Sequence, residues 1–272
     1  MAAKRKAKKT SNPEAGRICN LVPSTGTETD WKFEDALAVG ALQAGQRPDE
    51  MDLRAEWWDV GDQGSTGSCV GWATAEGLMR YQLTQAGKIG RDQHLSPRYV
   101  WMGSKETDEF TTRPETFIEA SGTSLKAAVA LCVKLGIVTE DVLPFRLKTT
   151  LYGGNENQFW AAAAQRRAAA YYNVGRNLEI WKTSIAASNP VLVGLQVDAT
   201  WDNAAATGGE LKAFQPGTVR GGHAVCAVGY RQDGFIILRN SWGTGWGDKG
   251  FGYASPDYVA DAFFPEAYTV SL

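Results

Sequence analysis

Residues 62–69 read Asp-Gln-Gly-Ser-Thr-Gly-Ser-Cys and place Cys69 six residues after Gln63, across a glycine-rich turn. From that cysteine onward, apolar residues recur at steps of three and four: Trp72, Ala75, Met79 and Leu83. This spacing predicts one face of a helix that begins at Cys69 and stops near Gly87. The unpaired N–H groups and the dipole at a helix start favour a thiolate. A thiolate is a nucleophile at neutral pH, whereas a protonated thiol is a poor one.

Two polar residues far downstream are candidate partners of this cysteine. Residues 221–225 read Gly-Gly-His-Ala-Val and put His223 at the start of an apolar run. Asn240 comes seventeen residues later, directly after a second short apolar run. Both runs are typical of strands, and neighbouring strands would bring His223 and Asn240 side by side. A nucleophile, a base and an orienting amide form the set that thiol acyl transfer needs.

Three separate blocks of the sequence together resemble the papain family of cysteine peptidases. The blocks are residues 63–73, 223–230 and 240–253, and weaker similarity lies at residues 95–99, 122–136 and 144–145. The resemblance runs from about residue 52 to the end of the chain. The short segment before residue 52 resembles the short leaders of bacterial members of the family.

The resemblance implies a role for each matching residue. Cys69 would be the nucleophile, His223 the base that exchanges its proton, and Asn240 the group that orients the imidazole. Gln63 would donate from its side chain to the oxyanion, together with the backbone N–H of Cys69. Two further residues match binding positions: Trp242 would cover the His–Asn pair, and Gly122 would bind extended substrate through its backbone.

Two positions differ from the family pattern. Thr66 stands where the family usually has a cysteine that forms a disulfide, so the usual cross-link of secreted members is absent. Val70 stands where a tryptophan normally follows the nucleophile, and we expect Trp72 to fill that space. Neither change affects the chemistry of the cysteine and histidine.

The resemblance implies a papain-like two-lobed α+β fold, with a helical N-terminal lobe, an antiparallel β-rich C-terminal lobe and the active-site cleft between them. A helix-rich first half and a strand-rich second half of the sequence suit this fold. Residues 121–136 and 160–185 are helical in period, and the alanines at 168–170 favour helix. Residues 190–253 contain several strand-like runs. Near the end of the chain, Tyr258 and Phe263 are expected to approach the main specificity pocket.

The chain divides at about residue 51 into a leader, residues 1–50, and a peptidase domain, residues 51–272. The leader contains apolar stretches at residues 18–23 and 31–42, with a short helix expected near residues 33–42. A purely disordered tail would not need them. We expect part of residues 18–42 to cover the cleft as an intramolecular inhibitor; the alternative is an unattached leader.

Composition excludes several classes of protein. The formal net charge of −2 makes nucleic acid an unlikely partner, apart from a solvated basic tail with five Lys and Arg at residues 4–9. Two histidines and no Cys-x-x-Cys argue against a zinc site, so no metal or other cofactor is expected.

Cys132 and Cys226 are expected to be buried apolar residues. No apolar run is long enough to span a membrane. Without a Sec signal peptide, the protein is expected in the cytoplasm or exported by another route.

The sequence therefore predicts a thiol peptidase, either endo- or exopeptidase, whose partner is a peptide or protein substrate. A transpeptidase or amidase would use the same acyl-enzyme chemistry and remains an alternative. A non-catalytic binding protein on the same fold is a third reading. Retention of Gln63, Cys69, His223 and Asn240 together argues against that third reading.

Overall fold

The computed structural model describes residues 13–107, 121–145 and 156–272. The basic residues 4–9 lie outside the described residues. The helices of the described part are α1 (Phe33–Ala38), α2 (Cys69–Trp72), α3 (Arg80–Gln85), α4 (Pro97–Thr107), α5 (Leu125–Lys134), α6 (Glu156–Ala164), α7 (Leu178–Ala186) and α8 (Pro256–Ala262). A π-helical segment, Ala73–Met79, joins α2 to α3 and makes one continuous helix from Cys69 to Gln85.

One eight-stranded sheet forms the core of the second lobe. Its strands are β1 (Met51–Asp52), β2 (Ala170–Asn173), β3 (Val191–Val197), β4 (Glu210–Leu211), β5 (Gly221–Tyr230), β6 (Ile236–Arg239), β7 (Phe251–Ala254) and β8 (Phe263–Ser271). The order is β2-β8-β3-β5-β6-β7-β4, with β1 paired to β5. All pairs are antiparallel except β4 with β7. The predicted α+β fold, with helices in the first lobe and a mostly antiparallel sheet in the second, is confirmed.

Close packing of the long helix on β5 positions the start of that helix. The Cys226 thiol donates to the carbonyl oxygen of Ala73 at 3.1 Å, so strand and helix are in contact one turn beyond Cys69. Gly77 makes the approach feasible, because a Cβ there would lie 2.6 Å from the Cys226 sulfur. The start of α2 therefore lies beside the start of β5, which carries His223.

The buried face of the long helix is close to the one predicted. Ala75, Met79 and Leu83 are fully buried, and Gly87 has a positive φ of 67° just past the helix end. Trp72 is only partly buried and packs edge-on against Phe145, with ring centroids 5.0 Å apart. All four cysteines are free thiols, and Cys132 and Cys226 are buried as predicted.

The prediction of helix throughout residues 160–185 is wrong. Strand β2 lies between α6 and α7 and pairs antiparallel with β8 in the register Tyr172↔Thr269. Ala168 and Ala170, expected to favour helix, lie before and at the start of this strand. Pairing with the edge of the large sheet overrides the helix preference of the alanines.

The leader packs closely on the rest of the protein. Phe33 on α1 is 1% exposed. Asp30 accepts hydrogen bonds from the Tyr268 hydroxyl at 2.8 Å and from Asn173 at 3.3 Å, and it pairs with Lys126 at 2.7 Å. Residues of both lobes thus hold the second half of the leader. No helix in the described ranges is long and apolar enough to cross a membrane.

Candidate active site

The turn before Cys69 is closed by hydrogen bonds between its own side chains. The Thr66 hydroxyl donates to the carbonyl oxygen of Gln63 at 2.8 Å. Its proton is thereby used, so the Ser68 hydroxyl donates to Thr66 Oγ1, at 2.7 Å. These bonds stabilise the turn where the family has a disulfide. The turn delivers Cys69 to the first position of α2, where the thiol is fully buried.

His223 and Asn240 are paired across neighbouring strands. Asn240 directly follows β6, which pairs with β5, and Nε2 of His223 lies 2.8 Å from Asn240 Oδ1. The backbone N–H of Ser241 donates to the same Asn240 atom at 2.8 Å. Because a backbone N–H can only donate, that atom is the amide oxygen, and Nε2 of His223 carries a proton. The other ring nitrogen, Nδ1, is buried without a hydrogen-bond partner among the described residues. It is available to accept the proton of a thiol.

The side-chain amide of Gln63 is fixed in orientation by its partners. Ser241 donates through its hydroxyl to Gln63 Oε1 at 2.9 Å, and Gln63 Nε2 donates to the carbonyl oxygen of Thr66 at 2.9 Å. The backbone N–H of Gln63 also donates to the carbonyl of Ser241 at 2.9 Å. Ser241 thus contacts Asn240 and Gln63 together and couples the two sides of the site.

A cluster of tryptophans encloses the imidazole of His223. Trp242 lies with its ring centroid 4.9 Å from that of His223, and Trp201 meets the imidazole edge-on at 5.4 Å. Trp201 is held by a hydrogen bond from its Nε1 to the Tyr258 hydroxyl at 3.0 Å, and it stacks on Trp246 at 4.7 Å. Trp242 was predicted to cover the His–Asn pair, whereas Trp201 was not predicted, because no motif distinguishes it among the ten tryptophans.

Burial sets the protonation of the cysteine and the histidine. Desolvation raises the pKa of the Cys69 thiol to about 11, although the backbone N–H groups of Ala224, Val70 and Asn20 partly oppose the shift. Desolvation lowers the pKa of His223 to about 4, against the hydrogen bond to Asn240. The neutral thiol and neutral imidazole are therefore favoured, and the expected thiolate is wrong for this state of the protein. A helix start cannot compensate for the loss of water around a fully buried thiol.

A family model described as papain family cysteine protease matches residues 47–259, which is most of the chain. The chain belongs to the papain family. Its sequence is 26% identical over 210 residues to a cathepsin L-like proteinase of Fasciola hepatica, covering 75% of this chain and 59% of that protein. It therefore spans about three fifths of the length of that relative.

Solved structures share the papain-family fold at low sequence identity. Xylellain, a cysteine protease from Xylella fastidiosa, superposes with a TM-score of 0.74 at 19% identity, covering 100% of this chain and 99% of that one. A digestive procathepsin L2 proteinase from the larval midgut of Tenebrio molitor superposes with a TM-score of 0.69 at 19% identity, covering 97% and 81%. The second of these is a proform.

In this papain-family chain, leader residues 18–20 lie directly over the site. The carbonyl oxygen of Ile18 lies 3.4 Å from Gln63 Nε2. The backbone N–H of Asn20 lies against the Cys69 sulfur. The carbonyl of Asn20 packs on Gly122, where a Cβ would come within 1.9 Å of that oxygen. Gly122, predicted to bind extended substrate, thus has the leader backbone against it.

The next leader residue fills an apolar pocket. Leu21 donates from its backbone to the carbonyl of Gly222 at 2.9 Å, and its side chain is 5% exposed. A Cβ at Gly194 would lie 2.5 Å from Leu21 Cδ2, 2.9 Å from Phe264 and 3.4 Å from Leu125. Phe264 therefore lines this pocket. Phe263, which together with Tyr258 was expected to approach the main specificity pocket, packs against Trp181, with ring centroids 5.6 Å apart.

Arg17 anchors the leader on the opposite side of the cysteine. Its guanidinium donates to both carboxylate oxygens of Asp62 and to the carbonyl oxygens of Gly64 at 3.2 Å and Trp242 at 2.9 Å. Its Nε pairs with Glu14 at 3.1 Å. Asp62 directly precedes Gln63, and its pKa is lowered by the bond from Arg17 despite partial desolvation.

Within the described residues, no group of three or more His, Cys, Asp or Glu could hold a metal ion.

Proposed function

We propose that this protein is a cysteine peptidase that hydrolyses peptide bonds, with Cys69 as nucleophile. The observation that carries the proposal is the state of the imidazole. His223 has Nε2 bonded to Asn240 Oδ1 at 2.8 Å, and its Nδ1 has no hydrogen-bond partner in the part of the chain that the structure describes. Cys69 lies at the adjoining helix start. A base oriented in this way can take a proton at one nitrogen while the other stays fixed.

In the first half of the reaction, the proton of Cys69 passes to Nδ1 of His223 and the sulfur attacks the substrate carbonyl. The oxygen that becomes negative is stabilised by Gln63 Nε2 and by the backbone N–H of Cys69. When the tetrahedral intermediate collapses, the imidazolium gives its proton to the leaving amine. The acyl group stays on Cys69 as a thioester.

In the second half, a water molecule transfers a proton to His223 and attacks the thioester through the same oxyanion site. Collapse releases the carboxylic acid and returns the proton to the Cys69 sulfur. The fixed amide of Asn240 keeps the imidazole in one orientation through both halves, and the rings of Trp242 and Trp201 exclude water from its faces.

The leader, in this proposal, is the intramolecular inhibitor. Its residues 18–21 occupy the surroundings of the nucleophile, the amide donor of Gln63 and the apolar pocket next to Gly194. A tethered segment has an effective concentration on the order of mM, so modest contacts suffice to exclude substrate. Release of the leader would also return water to Cys69 and His223 and remove the desolvation that holds both groups neutral.

A library of fluorogenic dipeptides tests the activity, using the full chain and a chain that starts at Glu50. Because Phe33 is a core residue, the variants Arg17→Ala and Leu21→Asp in the full chain accompany the truncation. We expect cleavage that rises on truncation, falls again when residues 1–49 are added as a peptide, and is lost in Cys69→Ala. Absence of cleavage in every folded variant, or cleavage that survives Cys69→Ala, would overturn the proposal.

The same assay with an added amine distinguishes hydrolysis from acyl transfer. A peptidase yields mainly the free acid at millimolar amine, whereas a transpeptidase yields mainly the new amide. Substrates whose only cleavable bond is a terminal carboxamide test for an amidase, which would release ammonia from them. Tight binding of peptides without turnover in the released protein would identify a binding protein.

A further inference from the structure

Cys19 is a second thiol at the candidate active site, contributed by the leader. The residues on either side of it contact the site. The backbone carbonyl oxygen of Ile18 lies near Gln63 Nε2, and the backbone N–H of Asn20 lies against the Cys69 sulfur. The Asn20 nitrogen is two covalent bonds from the Cα of Cys19. The Cys19 backbone is therefore next to the Cys69 side chain, and a disulfide between two cysteines requires such proximity.

Two further observations locate Cys19 more closely. Its carbonyl oxygen would be 2.1 Å from a Cβ on Gly221, and its own Cβ would be 3.4 Å from that position, so Cys19 packs on the start of β5. A charge on Cys69 acts on Cys19 directly: it adds to the desolvation that raises the pKa of the Cys19 thiol to about 12. Cys19 and Cys69 are thus neighbours at the site, and both thiols are free.

The two thiols differ in exposure. Cys69 is fully buried, whereas Cys19 is partly exposed. A small reagent in solution therefore meets Cys19 before it meets the nucleophile. The other two cysteines, Cys132 and Cys226, are fully buried, and the Cys226 thiol is bonded to the carbonyl oxygen of Ala73.

We propose that Cys19 and Cys69 form a reversible disulfide that locks the leader over the active site. The oxidant is a small disulfide. Its S–S bond breaks when the Cys19 thiolate attacks it, which gives a mixed disulfide on Cys19 and releases one small thiol. The Cys69 thiolate then attacks the Cys19 sulfur and releases the second small thiol. The two protein thiols lose two electrons, and the small disulfide gains them.

The Cys19–Cys69 disulfide would regulate the proposed peptidase, and this proposal rests on the role of Cys69 as nucleophile. A covalent bond to the attacking sulfur abolishes turnover and prevents release of the leader at the same time. A reducing compartment would open it, whereas loss of reducing power would keep the protein inactive. Because both thiols have raised pKa values, the exchange should speed up as the pH rises from 7 to 9.

The test is disulfide mapping on the full chain after incubation with oxidised glutathione at pH 8. The protein is quenched in acid, digested without reduction and analysed by mass spectrometry. We expect a cross-linked peptide pair that contains Cys19 and Cys69, and a fall in free thiols from four to two after denaturation. Dithiothreitol should restore all four. Cys132→Ala should cross-link like the parent, and Cys19→Ser should not cross-link.

A stable mixed disulfide on Cys19 with Cys69 still free would overturn the lock, as would equal oxidative inactivation of the parent and Cys19→Ser. The mapping does not depend on catalysis. A cross-link in a protein whose reduced, released form cleaves no peptide would contradict the proposed function and leave the disulfide standing. Peptide cleavage without any cross-link would support the proposed function and contradict the disulfide.

Discussion

The carbonyl oxygen of Ile18 lies 3.4 Å from the side-chain nitrogen of Gln63. A leader residue thus contacts the donor that would stabilise the oxyanion of a substrate. The same nitrogen donates to the carbonyl of Thr66 at 2.9 Å, so the donor is already oriented before any substrate arrives. Preorganisation of this kind is a source of rate enhancement, since no reorientation is needed during the reaction.

Removal of the leader anchor should activate the full chain. Arg17→Ala loses the bonds to Asp62 and to the carbonyl of Trp242, and a hydrogen bond to a charged group contributes about 1.5–3 kcal/mol. We expect kcat/KM on a dipeptide substrate to rise about tenfold or more. The matched control is Arg47→Ala, which breaks the exposed pair with Glu179 and should leave the rate unchanged. Identical rates for both variants and the parent would argue against the anchor.

The alkylation rate of Cys69 should report whether the leader covers it. In the full chain, burial raises the pKa of the thiol to about 11 and lowers that of His223 to about 4. The thiol is then protonated at pH 6, and its alkylation by iodoacetamide should rise about tenfold per pH unit toward alkaline pH.

In Arg17→Ala or a chain that starts at Glu50, water returns to the site and the thiolate–imidazolium pair becomes accessible. Alkylation of Cys69 should then be fast at pH 5–6 and slow again when His223→Ala is added. Peptide mapping identifies the labelled cysteine, and Cys132 and Cys226 serve as internal controls. Slow labelling of Cys69 in the released protein at pH 6 would contradict the ion pair.

Gln63→Ala should lower kcat more than it changes KM. The oxyanion is fully formed only in the transition state, so its donor contributes there and little to substrate binding. A loss of about 100- to 1000-fold in kcat is expected from one such donor. Gln82→Ala is the matched control, because Gln82 is a buried glutamine that bonds Asn189 away from the site. A rise in KM at constant kcat would assign Gln63 to substrate binding instead.

The sequence predicted the geometry of the candidate site better than its electrostatics. Motif spacing predicted a helix that begins at Cys69 and the pairing of His223 with Asn240. It did not predict the neutral state of the cysteine, since desolvation depends on what the leader covers. The position of the Leu21 side chain in its pocket could not be predicted either. No local pattern states that a leader residue contacts Gly194 and Phe264, which lie far along the chain and meet it only in three dimensions.

The strand β2 illustrates the limit for the fold. Residues 168–173 contain three alanines and two tyrosines, and the alanines favour helix in isolation. The hydrogen bonds to β8 decide the conformation, and they come from residues almost a hundred positions away. Helix α5, by contrast, was predictable because its apolar stripe and its N-cap serine, Ser124, are local features.

The pocket that holds Leu21 should set the preference for a substrate side chain. It is lined by Leu125, Gly194 and Phe264, so peptides with leucine or a similar aliphatic residue at this position should be cleaved best. Gly194→Ala places a methyl group 2.5 Å from the site of Leu21 Cδ2. Overpacking of this kind costs about 1–3 kcal/mol.

We therefore expect kcat/KM for leucine peptides to fall about tenfold in Gly194→Ala, with a smaller loss for alanine peptides. The control is Gly217→Ala, where a Cβ meets no atom of the described residues within 4 Å. The comparison is best made in the Arg17→Ala background, where the leader competes less. An equal loss for leucine and alanine peptides would show that the pocket does not select the side chain.

Trapping of the covalent intermediate identifies the nucleophile itself. The Arg17→Ala protein is mixed with a p-nitrophenyl ester of a leucine-containing dipeptide, quenched in acid within milliseconds to seconds and mapped by mass spectrometry. We expect the acyl group on Cys69, a matching burst of p-nitrophenol, and neither signal in Cys69→Ala. An acyl group on another residue, or a burst that survives Cys69→Ala, would contradict the role of Cys69 as nucleophile.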